Sequence, residues 1–424
     1  MNEPAAPKPA PRIAIVGAGP AGCYTAQFLR KRWSLADIVI YDRHDAPYGL
    51  IRYGVAPDHL GTKAIAKQFD RLFARDGVTF VGATDIGTDL TLDQLQADFD
   101  VVVLATGLWA DRMIDTFHSA ATTAVGAAPV AAAPLAGVYG AGRLTRLING
   151  HPAESVQGLH IGRRTVIVGN GNVAVDLVRL MLTPAEVLVS HGVPNEVAAA
   201  LTAGPLEHMD VVGRSPVYAA KFDLAMIREL GKLDDVRFTS DSPGDDVDEN
   251  DETAAQAAGT DAPADGTAKA DAIRELVEGS SPTATRTVAF HFGWTPDRVF
   301  ASDAGEVGDA GEAGEARVSR VTFTATPGAG QRDATLELST DSVCTAVGFT
   351  ETEGALLRRD AIASPTADLE RGLLADGLYC VGWFRRGPVG TIPANRADAR
   401  TVADAIIHDV EAAAAVLEAA VTST

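Results

Sequence analysis

The stretches GAGPAG, at Gly17–Gly22, and GNGNVA, at Gly169–Ala174, each follow a run of β-branched residues and open a segment with helical periodicity. A strand that turns sharply into a helix needs glycine wherever a Cβ would collide with backbone or with a bound pyrophosphate. The start of the helix then presents unpaired N–H groups and partial positive charge to phosphates. Two such fingerprints in one chain predict two dinucleotide sites.

The first fingerprint belongs to a complete βαβ pattern. Gly17 is expected to make the turn, Gly19 to admit the pyrophosphate, and Gly22 to let helix and strand pack closely. A second apolar run ends at Asp42, whose carboxylate is placed to accept hydrogen bonds from ribose hydroxyls. The alternative is a solvated acid at the end of a strand. Pro20 and Ala21, at the start of the helix, complete this predicted site.

Size and composition set the broad class. The chain has 424 residues, of which 46% are hydrophobic, enough for two or three domains with their own cores. No apolar stretch is long enough to cross a bilayer. The N-terminal MNEPAAPKPAP lacks the apolar core of a secretion signal, so we expect a cytoplasmic protein.

The three cysteines, Cys23, Cys344 and Cys380, are scattered and form no CxxC pair. This excludes the redox-disulfide mechanism of thioredoxin-reductase-like flavoproteins, and also a cysteine-ligated cluster or zinc site within the chain. We interpret all three as small buried hydrophobes. No spacing of histidine and glutamate resembles a metal site.

The net charge of −20 is concentrated in one region, because the stretch from Asp241 to Val318 holds 18 acidic and 5 basic residues. Segments this poor in large apolar residues do not bury enough surface to offset chain entropy. We therefore predict acidic insertions at about 241–270 and 301–316, as disordered segments or surface loops. The alternating runs that border them, including residues 287–299, are predicted to be β excursions on an α/β domain.

Longer motifs carry a family resemblance. The run PYGLIRYGVAPDH at Pro47–His59, the segment VVGRSPVYAAKFDLAMIREL and the late GWFRRGPVGTIPANRADA resemble the adrenodoxin-reductase-type family of ferredoxin-NADP reductases. The likeness covers most of the chain apart from the acidic insertions. It implies two Rossmann-like, three-layer α/β nucleotide-binding domains in a glutathione-reductase-like flavoprotein architecture. Residues 1–107 and 340–424 would bind FAD, and residues 108–339 would bind NADP.

The resemblance assigns FAD contacts to several blocks. Gly49 and Leu50 would pack by the flavin, Asp42 would hold the adenosine ribose, and backbone near Asp85 would touch adenine. Trp383 would cradle the isoalloxazine, its alternative being a core aromatic. The other residues implied at FAD are Gly17, Gly19, Pro20, Ala21, Gly22, Gly54, Gly390, Thr391 and Ile392, with a helix expected to start around Pro393.

NADPH is implied at the second fingerprint, with Asn170, Gly171, Asn172 and Val173 at its pyrophosphate. Arg214 follows a strand at the point where NAD-dependent enzymes place an acid, so its cation favours a ribose carrying a phosphate. The family usually has a second arginine where this chain has Ser215, which lowers the expected selectivity for NADPH. Arg112, at a domain crossover, matches another family contact to NADPH.

The family places His59 and Glu229 beside the nicotinamide, where they would position it and tune proton delivery. Without the resemblance, His59 would be interpreted as a structural histidine and Glu229 as a solvated helical residue.

The implied reaction is hydride transfer from NADPH to FAD N5, followed by single-electron transfer to an iron-sulfur ferredoxin. The alternatives are an NAD(P)H diaphorase or quinone reductase, and a flavin electron-transfer subunit of a larger complex. Lys63, Lys67, Arg71 and Arg75, spaced by four, are a hypothetical docking row for an acidic ferredoxin, unless they are simply a solvated face.

Overall fold

The computed structural model describes residues 10–117, 135–241, 263–302, 317–327, 334–362 and 367–422. The chain divides into two compact units. The first unit runs to Ala110 and resumes at Phe349, and the second comprises Asp111–Gly348. The first unit is therefore discontinuous in sequence.

The elements follow an alternating α/β order. The strands are β1 (Arg12–Val16), β2 (Asp37–Tyr41), β3 (Thr79–Val81), β4 (Val101–Leu104), β5 (Ala110–Asp111), β6 (Val138–Gly140), β7 (Arg164–Val168), β8 (His208–Gly213), β9 (Val236–Ser240), β10 (Arg286–Phe292), β11 (Trp294–Ala301), β12 (Val318–Ala325), β13 (Thr335–Ser339), β14 (Ser342–Thr345), β15 (Phe349–Thr350), β16 (Leu373–Ala375) and β17 (Leu378–Cys380). The α-helices are α1 (Pro20–Arg32), α2 (Leu50–Tyr53), α3 (Leu60–Lys63), α4 (Ile65–Ala74), α5 (Leu92–Asp98), α6 (Ala141–Ile148), α7 (Asn172–Met181), α8 (Ala185–Ser190), α9 (Asn195–Leu201), α10 (Leu224–Leu230), α11 (Pro263–Glu278), α12 (Trp383–Arg386) and α13 (Ile392–Thr422).

The first unit is built on a six-stranded sheet in the order β16-β17-β4-β1-β2-β3, which is parallel except for β16 against β17. Ile13–Val16 of β1 and all residues of β4 are apolar and buried, as expected of central parallel strands covered on both faces. Strand β1 lies between β2 and β4, so the strand order reverses there. Open α/β sheets bind ligands at the carboxyl ends of the strands at such a point.

Helix α13 from the C-terminal segment packs against α1. Its buried residues Ala399, Val402, Ala403 and Ile406 recur at helical spacing and join Leu29 of α1 in one apolar cluster. The C-terminal segment thus completes the core of the first unit. The expected helix start near Pro393 is confirmed, because α13 begins at Ile392.

The second unit has its own six-stranded parallel sheet, in the order β6-β14-β7-β8-β10-β9. Strand β7 carries the second fingerprint and lies between β8 and β14, which repeats the reversal seen at β1. A separate antiparallel sheet, β11-β12-β13, belongs to the same unit. The prediction of two Rossmann-like α/β domains is confirmed.

Two sequence expectations in the second unit are wrong. The alternating run at residues 287–299 is not one excursion: it breaks at Gly293, where φ is +81°, into β10 of the parallel sheet and β11 of the antiparallel sheet. Part of the first acidic insertion is helical, since α11 begins at Pro263. Alanines favour helix, and Ala270 is buried there. Most of both predicted insertions lies outside the described residues.

Two aspartates and two histidines form a hydrogen-bonded network on the sheet of the second unit. Asp210 of β8 is buried, and its Oδ1 lies 3.1 Å from His208 Nε2 and 2.8 Å from His291 Nε2. His291 Nδ1 lies 2.7 Å from Asp241 Oδ2. Burial alone would lower the pKa of His291, but its hydrogen bonds to Asp210 and Asp241 outweigh burial and raise the pKa to about 9. Both ring nitrogens therefore donate, and the imidazole is a cation at neutral pH.

Substituting His291→Gln should lower the free energy of unfolding below pH 6.5 by at least about 2 kcal/mol, because a charge-assisted hydrogen bond is lost and the buried Asp210 loses its cation. A raised folded-state pKa gives stability that is fully present below the unfolded value of 6.5 and lost as pH rises through about 9. The difference between wild type and variant should therefore shrink as pH rises from 6.5 to about 9 and stay at its smallest value above that. Urea unfolding across this range measures it.

The exposed His160, in the same unit, is a matched control. The His160→Gln protein should unfold like wild type at every pH. A constant deficit of the His291→Gln protein across the whole range would contradict the ionised state of His291.

Candidate functional site

The first glycine turn excludes side chains at two positions and leaves room at a third. Gly17 has φ +112°, and a Cβ there would lie 2.4 Å from the carbonyl oxygen of Ala105. A Cβ on Gly22 would lie 2.0 Å from the oxygen of Gly17. A Cβ on Gly19 would meet nothing within 4 Å. The turn is thus packed on its inner side and open at Gly19, which is the space that a dinucleotide backbone requires.

Helix α1 leads away from this opening without a side-chain cap. Its N-cap is Gly19, its first residue is Pro20, and its first turn contains no acidic residue. The N–H groups of Ala21 and Gly22 therefore lie at a helix start that carries partial positive charge. This arrangement suits a phosphate.

Asp42, predicted to bind ribose, is buried, and its carboxylate is engaged by the protein. Oδ2 accepts a hydrogen bond from the Ala18 N–H at 2.7 Å, and Oδ1 lies 2.9 Å from His44 N and 3.0 Å from His44 Nδ1. Asp42 thus holds the glycine turn and fixes His44. A carboxylate offers about four lone-pair directions, so one hydrogen bond more remains within its capacity.

The loop predicted to touch adenine lies beside Asp42. The Thr84 N–H donates to the carbonyl of Asp42 at 2.9 Å, and Ala83 has φ +51°. The N–H of Asp85 donates to Asp89 Oδ2 at 2.8 Å. The end of β2 and this loop are therefore joined by main-chain hydrogen bonds.

The PYGL segment lies directly against the turn. The Tyr48 N–H donates to the Ala18 carbonyl at 2.8 Å, and a Cβ on Gly49 would lie 3.1 Å from the Cα of Gly19. Gly49 has φ +47° and precedes α2, which starts at Leu50 and ends with the Gly54 N–H donating to the Leu50 carbonyl. The structure therefore brings Gly49 and Gly19 together.

Sequence reasoning missed an aromatic group beside these glycines. The His44 ring lies 4.9 Å from the Trp109 ring and 6.0 Å from the Tyr53 ring. Trp109 Cζ2 would lie 3.9 Å from a Cβ on Gly49, and Arg43 Cζ is 5.6 Å from the Trp109 ring centre. The available signal was the place of Trp109, two residues after the small-residue turn Ala105–Gly107.

The late block also reaches the first turn. A Cβ on Gly382 would lie 2.6 Å from the Cβ of Ala21. Trp383 begins α12, and its Nε1 donates to the Gly390 carbonyl at 3.4 Å. Its ring lies 5.6 Å from that of Phe349. Gly390, with φ +85°, and the exposed Thr391 lead into α13 at Ile392.

Asp398 fixes this block, a role with no sequence signal. The side chain is almost fully buried, and it accepts hydrogen bonds from the Gly382 N–H at 2.5 Å and from Arg385 Nε at 2.9 Å. Arg386 Nε lies 3.1 Å from the same carboxylate. One carboxylate thereby holds two cations and the turn that faces α1.

His59 is half-buried and precedes α3, where its carbonyl accepts a hydrogen bond from the Lys63 N–H at 3.0 Å. Lys63, a member of the predicted docking row, is engaged within the protein. Its Nζ donates to the Arg52 carbonyl at 3.0 Å, and burial together with the Arg52 charge lowers its pKa to about 8. The remaining members, Lys67, Arg71 and Arg75, are exposed.

The second glycine turn repeats the first. Gly169 has φ +130°, and a Cβ there would lie 2.3 Å from the Ala346 oxygen. Around Gly171 only the Cβ of Lys221, at 3.8 Å, would come near an added Cβ. Helix α7 starts after Gly171 with neither a side-chain cap nor an acid in its first turn. Among the described residues, the buried Asn170 Nδ2 has no hydrogen-bond partner. An amide donor beside an open helix start fits a phosphorylated nucleotide.

Asn172 and Val173 begin α7, and Asn172 connects it to α10. Its Nδ2 donates to Asp223 Oδ2 at 2.6 Å, and its Oδ1 accepts from the Asp223 N–H at 2.7 Å. Glu229 lies on α10, 41% exposed, with Oε2 at 3.9 Å from Arg179 Nε. Glu229 is thus partly paired rather than a fully solvated helical residue.

Arg214 follows β8 directly and is exposed. Within the described ranges its guanidinium makes no side-chain hydrogen bond or ion pair, which leaves it available to a phosphate. The carbonyl of the neighbouring Ser215 accepts a hydrogen bond from the Gly293 N–H at 3.2 Å.

Arg112, also predicted to contact NADPH, is held by the backbone of the same unit. Its N–H donates to the Gly348 carbonyl and its Nη2 to the Val347 carbonyl, both at 2.9 Å.

The cysteines take no part in either turn as reactive groups. Cys23, Cys344 and Cys380 are buried free thiols, and in all three burial raises the pKa. In the described parts of the chain, no cluster of histidine, cysteine or acidic residues has the makings of a metal site. Nor does any helix there combine the length and apolar character needed to span a membrane.

Comparison with known proteins agrees with this geometry. Residues 11–194 match the family model of pyridine nucleotide-disulphide oxidoreductases. The buried thiols show that this chain carries the fold of that family without a redox disulfide.

Full-length relatives are more specific. The chain is 43% identical to a cindoxin reductase of Citrobacter braakii, over 95% of this chain and 79% of that protein. It is 28% identical to the mitochondrial NADPH:adrenodoxin oxidoreductase of Bos taurus, over 95% of this chain and 79% of that protein. The solved structure of Mycobacterium tuberculosis FprA in complex with NADPH matches with a TM-score of 0.78 and 26% identity, over 97% of this chain and 86% of that chain. With both glycine turns, the PYGL segment and the late block in place, these likenesses show that the chain belongs to the adrenodoxin-reductase-type family of ferredoxin-NADP reductases.

Proposed function

We propose that this protein is an NADPH-dependent flavoprotein reductase that passes electrons to a ferredoxin-type iron-sulfur protein. The observation that carries the proposal is the repeated glycine turn. Gly17 against Ala105 and Gly169 against Ala346 have the same close approach, and both lead into a helix start without a side-chain cap. One chain therefore carries two dinucleotide cradles, as an enzyme that couples two dinucleotides requires.

The first unit fits FAD, because its turn is open at Gly19 and bordered by Gly49 and Gly382. FAD, when bound, supplies a centre that takes a hydride from NADPH and releases electrons singly. The chain's part is to hold the pyrophosphate at Gly17–Gly22 and to orient the flavin end with Gly49, Leu50 and the late block. By resemblance we also assign Asp42, Gly54, Asp85, Trp383, Gly390, Thr391 and Ile392 to this site.

The second unit fits NADPH. Asn170, Gly171, Asn172 and Val173 surround the open helix start of α7, and Arg214 supplies a cation at the end of β8. Ser215 and Arg112 are assigned to the same nucleotide by resemblance. Since Ser215 stands where the family usually has a second arginine, discrimination against NADH should rest mainly on Arg214.

His59 and Glu229 are proposed to act at the nicotinamide end of bound NADPH, where they would position the ring and move protons. His59 is fixed at the start of α3, and Glu229 is held near Arg179 on α10. Both side chains retain solvent exposure, which proton exchange with bulk water requires.

We further propose a cytoplasmic location, supported by three buried cysteines that remain free thiols.

Anaerobic titration of the purified yellow protein tests the function. NADPH should bleach the flavin absorbance, with NADH effective only at higher concentration. Added ferredoxin should accelerate NADPH-dependent cytochrome c reduction. A colourless protein that does not take up FAD would refute the proposal, whereas bleaching without any ferredoxin effect would favour a diaphorase.

Arg214→Ala should raise the KM for NADPH about tenfold and leave the KM for NADH nearly unchanged, because one charge-assisted contact to the 2′-phosphate is lost. Arg237→Ala, which removes another exposed arginine of the second unit, should change neither constant. Equal effects of Arg214→Ala on both nucleotides would exclude the phosphate contact.

Lys67→Glu should slow ferredoxin-coupled reduction several-fold at low salt while leaving reduction of a small dye unchanged, because exposed cations steer acidic partners. The effect should fade as ionic strength rises. Lys31→Glu is the matched reversal at the end of α1 and should have little effect. If the two variants behave alike, Lys67 takes no part in docking.

A further inference from the structure

The strongest unassigned feature is the aromatic group formed by His44, Tyr53 and Trp109, which adjoins the open side of the first glycine turn. The position that a Cβ on Gly49 would occupy is 3.1 Å from the Gly19 Cα and 3.9 Å from Trp109 Cζ2. The indole and the open glycine therefore flank one small volume.

The Trp109 indole is held from several sides. The His44 ring lies 4.9 Å away at an angle of 42°, and Arg43 Cζ lies 5.6 Å from the ring centre. His44 is in turn fixed by Asp42 through both its main-chain N–H and Nδ1. Asp42 also binds the Ala18 N–H within the glycine turn. The turn, the acid, the histidine and the indole thus form a connected series.

This series suits a dinucleotide. An indole gives a large, stiff apolar wall at little cost in conformational entropy. The Arg43 guanidinium, 5.6 Å from the indole centre, adds a positive charge beside this wall. Main-chain contacts at Gly19 and Gly49 orient such a ligand but bury little apolar area. Trp109 supplies that area.

Resting on the proposed function, we propose that Trp109 is a positioning residue for FAD: it forms a wall of the space between Gly19 and Gly49 and retains the dinucleotide there. His44 and Arg43 hold the indole in place. Asp42 acts on FAD through this series as well as through any ribose contact. None of these residues transfers a proton or an electron in this role.

The test is the binding of FAD to the apoprotein, measured by the change in FAD fluorescence. Trp109→Leu should raise the dissociation constant about tenfold and speed FAD release, because a large aromatic contact is lost. Trp109→Phe should recover most of the affinity. Trp33→Leu removes an indole from the same unit at the far end of α1 and should bind FAD like wild type.

A second variant and an internal check separate the outcomes. His44→Leu should weaken FAD binding, because the imidazole no longer holds the indole. The main-chain hydrogen bond of residue 44 to Asp42 remains in this variant, so the effect reports on the ring alone. Binding of 2′,5′-ADP to the second unit should be unchanged in every variant that folds. Wild-type FAD affinity in both Trp109→Leu and His44→Leu overturns this inference alone. Failure of the wild-type apoprotein to bind FAD overturns both it and the proposed function.

Discussion

The structure depends on one close approach, that of the Gly17 backbone to the carbonyl of Ala105. The two strands β1 and β4 are neighbours in a parallel sheet, so the turns that leave them emerge side by side. Any side chain on Gly17 would have to share space with a main-chain oxygen, and its φ of +112° disfavours one further. The second unit repeats this constraint with Gly169 and Ala346. In each turn, backbone atoms pack against the first glycine, and the space beside the helix start remains open to a ligand.

Much of this was readable from the sequence because it is local. Glycine spacing, β-branched runs and a proline at a helix start each act over a few residues, and they predicted β1, α1, β7, α7 and the start of α13. The extent of the alternating run near Gly293 was not predictable in this way. A strand that leaves one sheet and enters another keeps its alternation, and only the backbone angle at Gly293 marks the break.

The contacts that the sequence did not disclose are between residues far apart in the chain. Lys63 looks like one member of a cationic row, yet its ammonium group is directed to the Arg52 carbonyl. Asp398 is a charged residue in a long helix, where spacing favours a solvated position, but it is buried under Arg385 and Arg386. Asp42 was expected to face a ribose, and it also serves the glycine turn and His44. In each case a tertiary partner decides where the charge lies.

The discontinuity of the first unit bears on the order in which the protein is made. Strand β4 takes β17 as its outer neighbour, and α1 is covered by α13, both from the last part of the chain. The second unit is contiguous and is complete before that part leaves the ribosome. Until then β4 lacks its outer neighbour and α1 lacks its covering helix, so the core of the first unit closes only after the second unit has been synthesised.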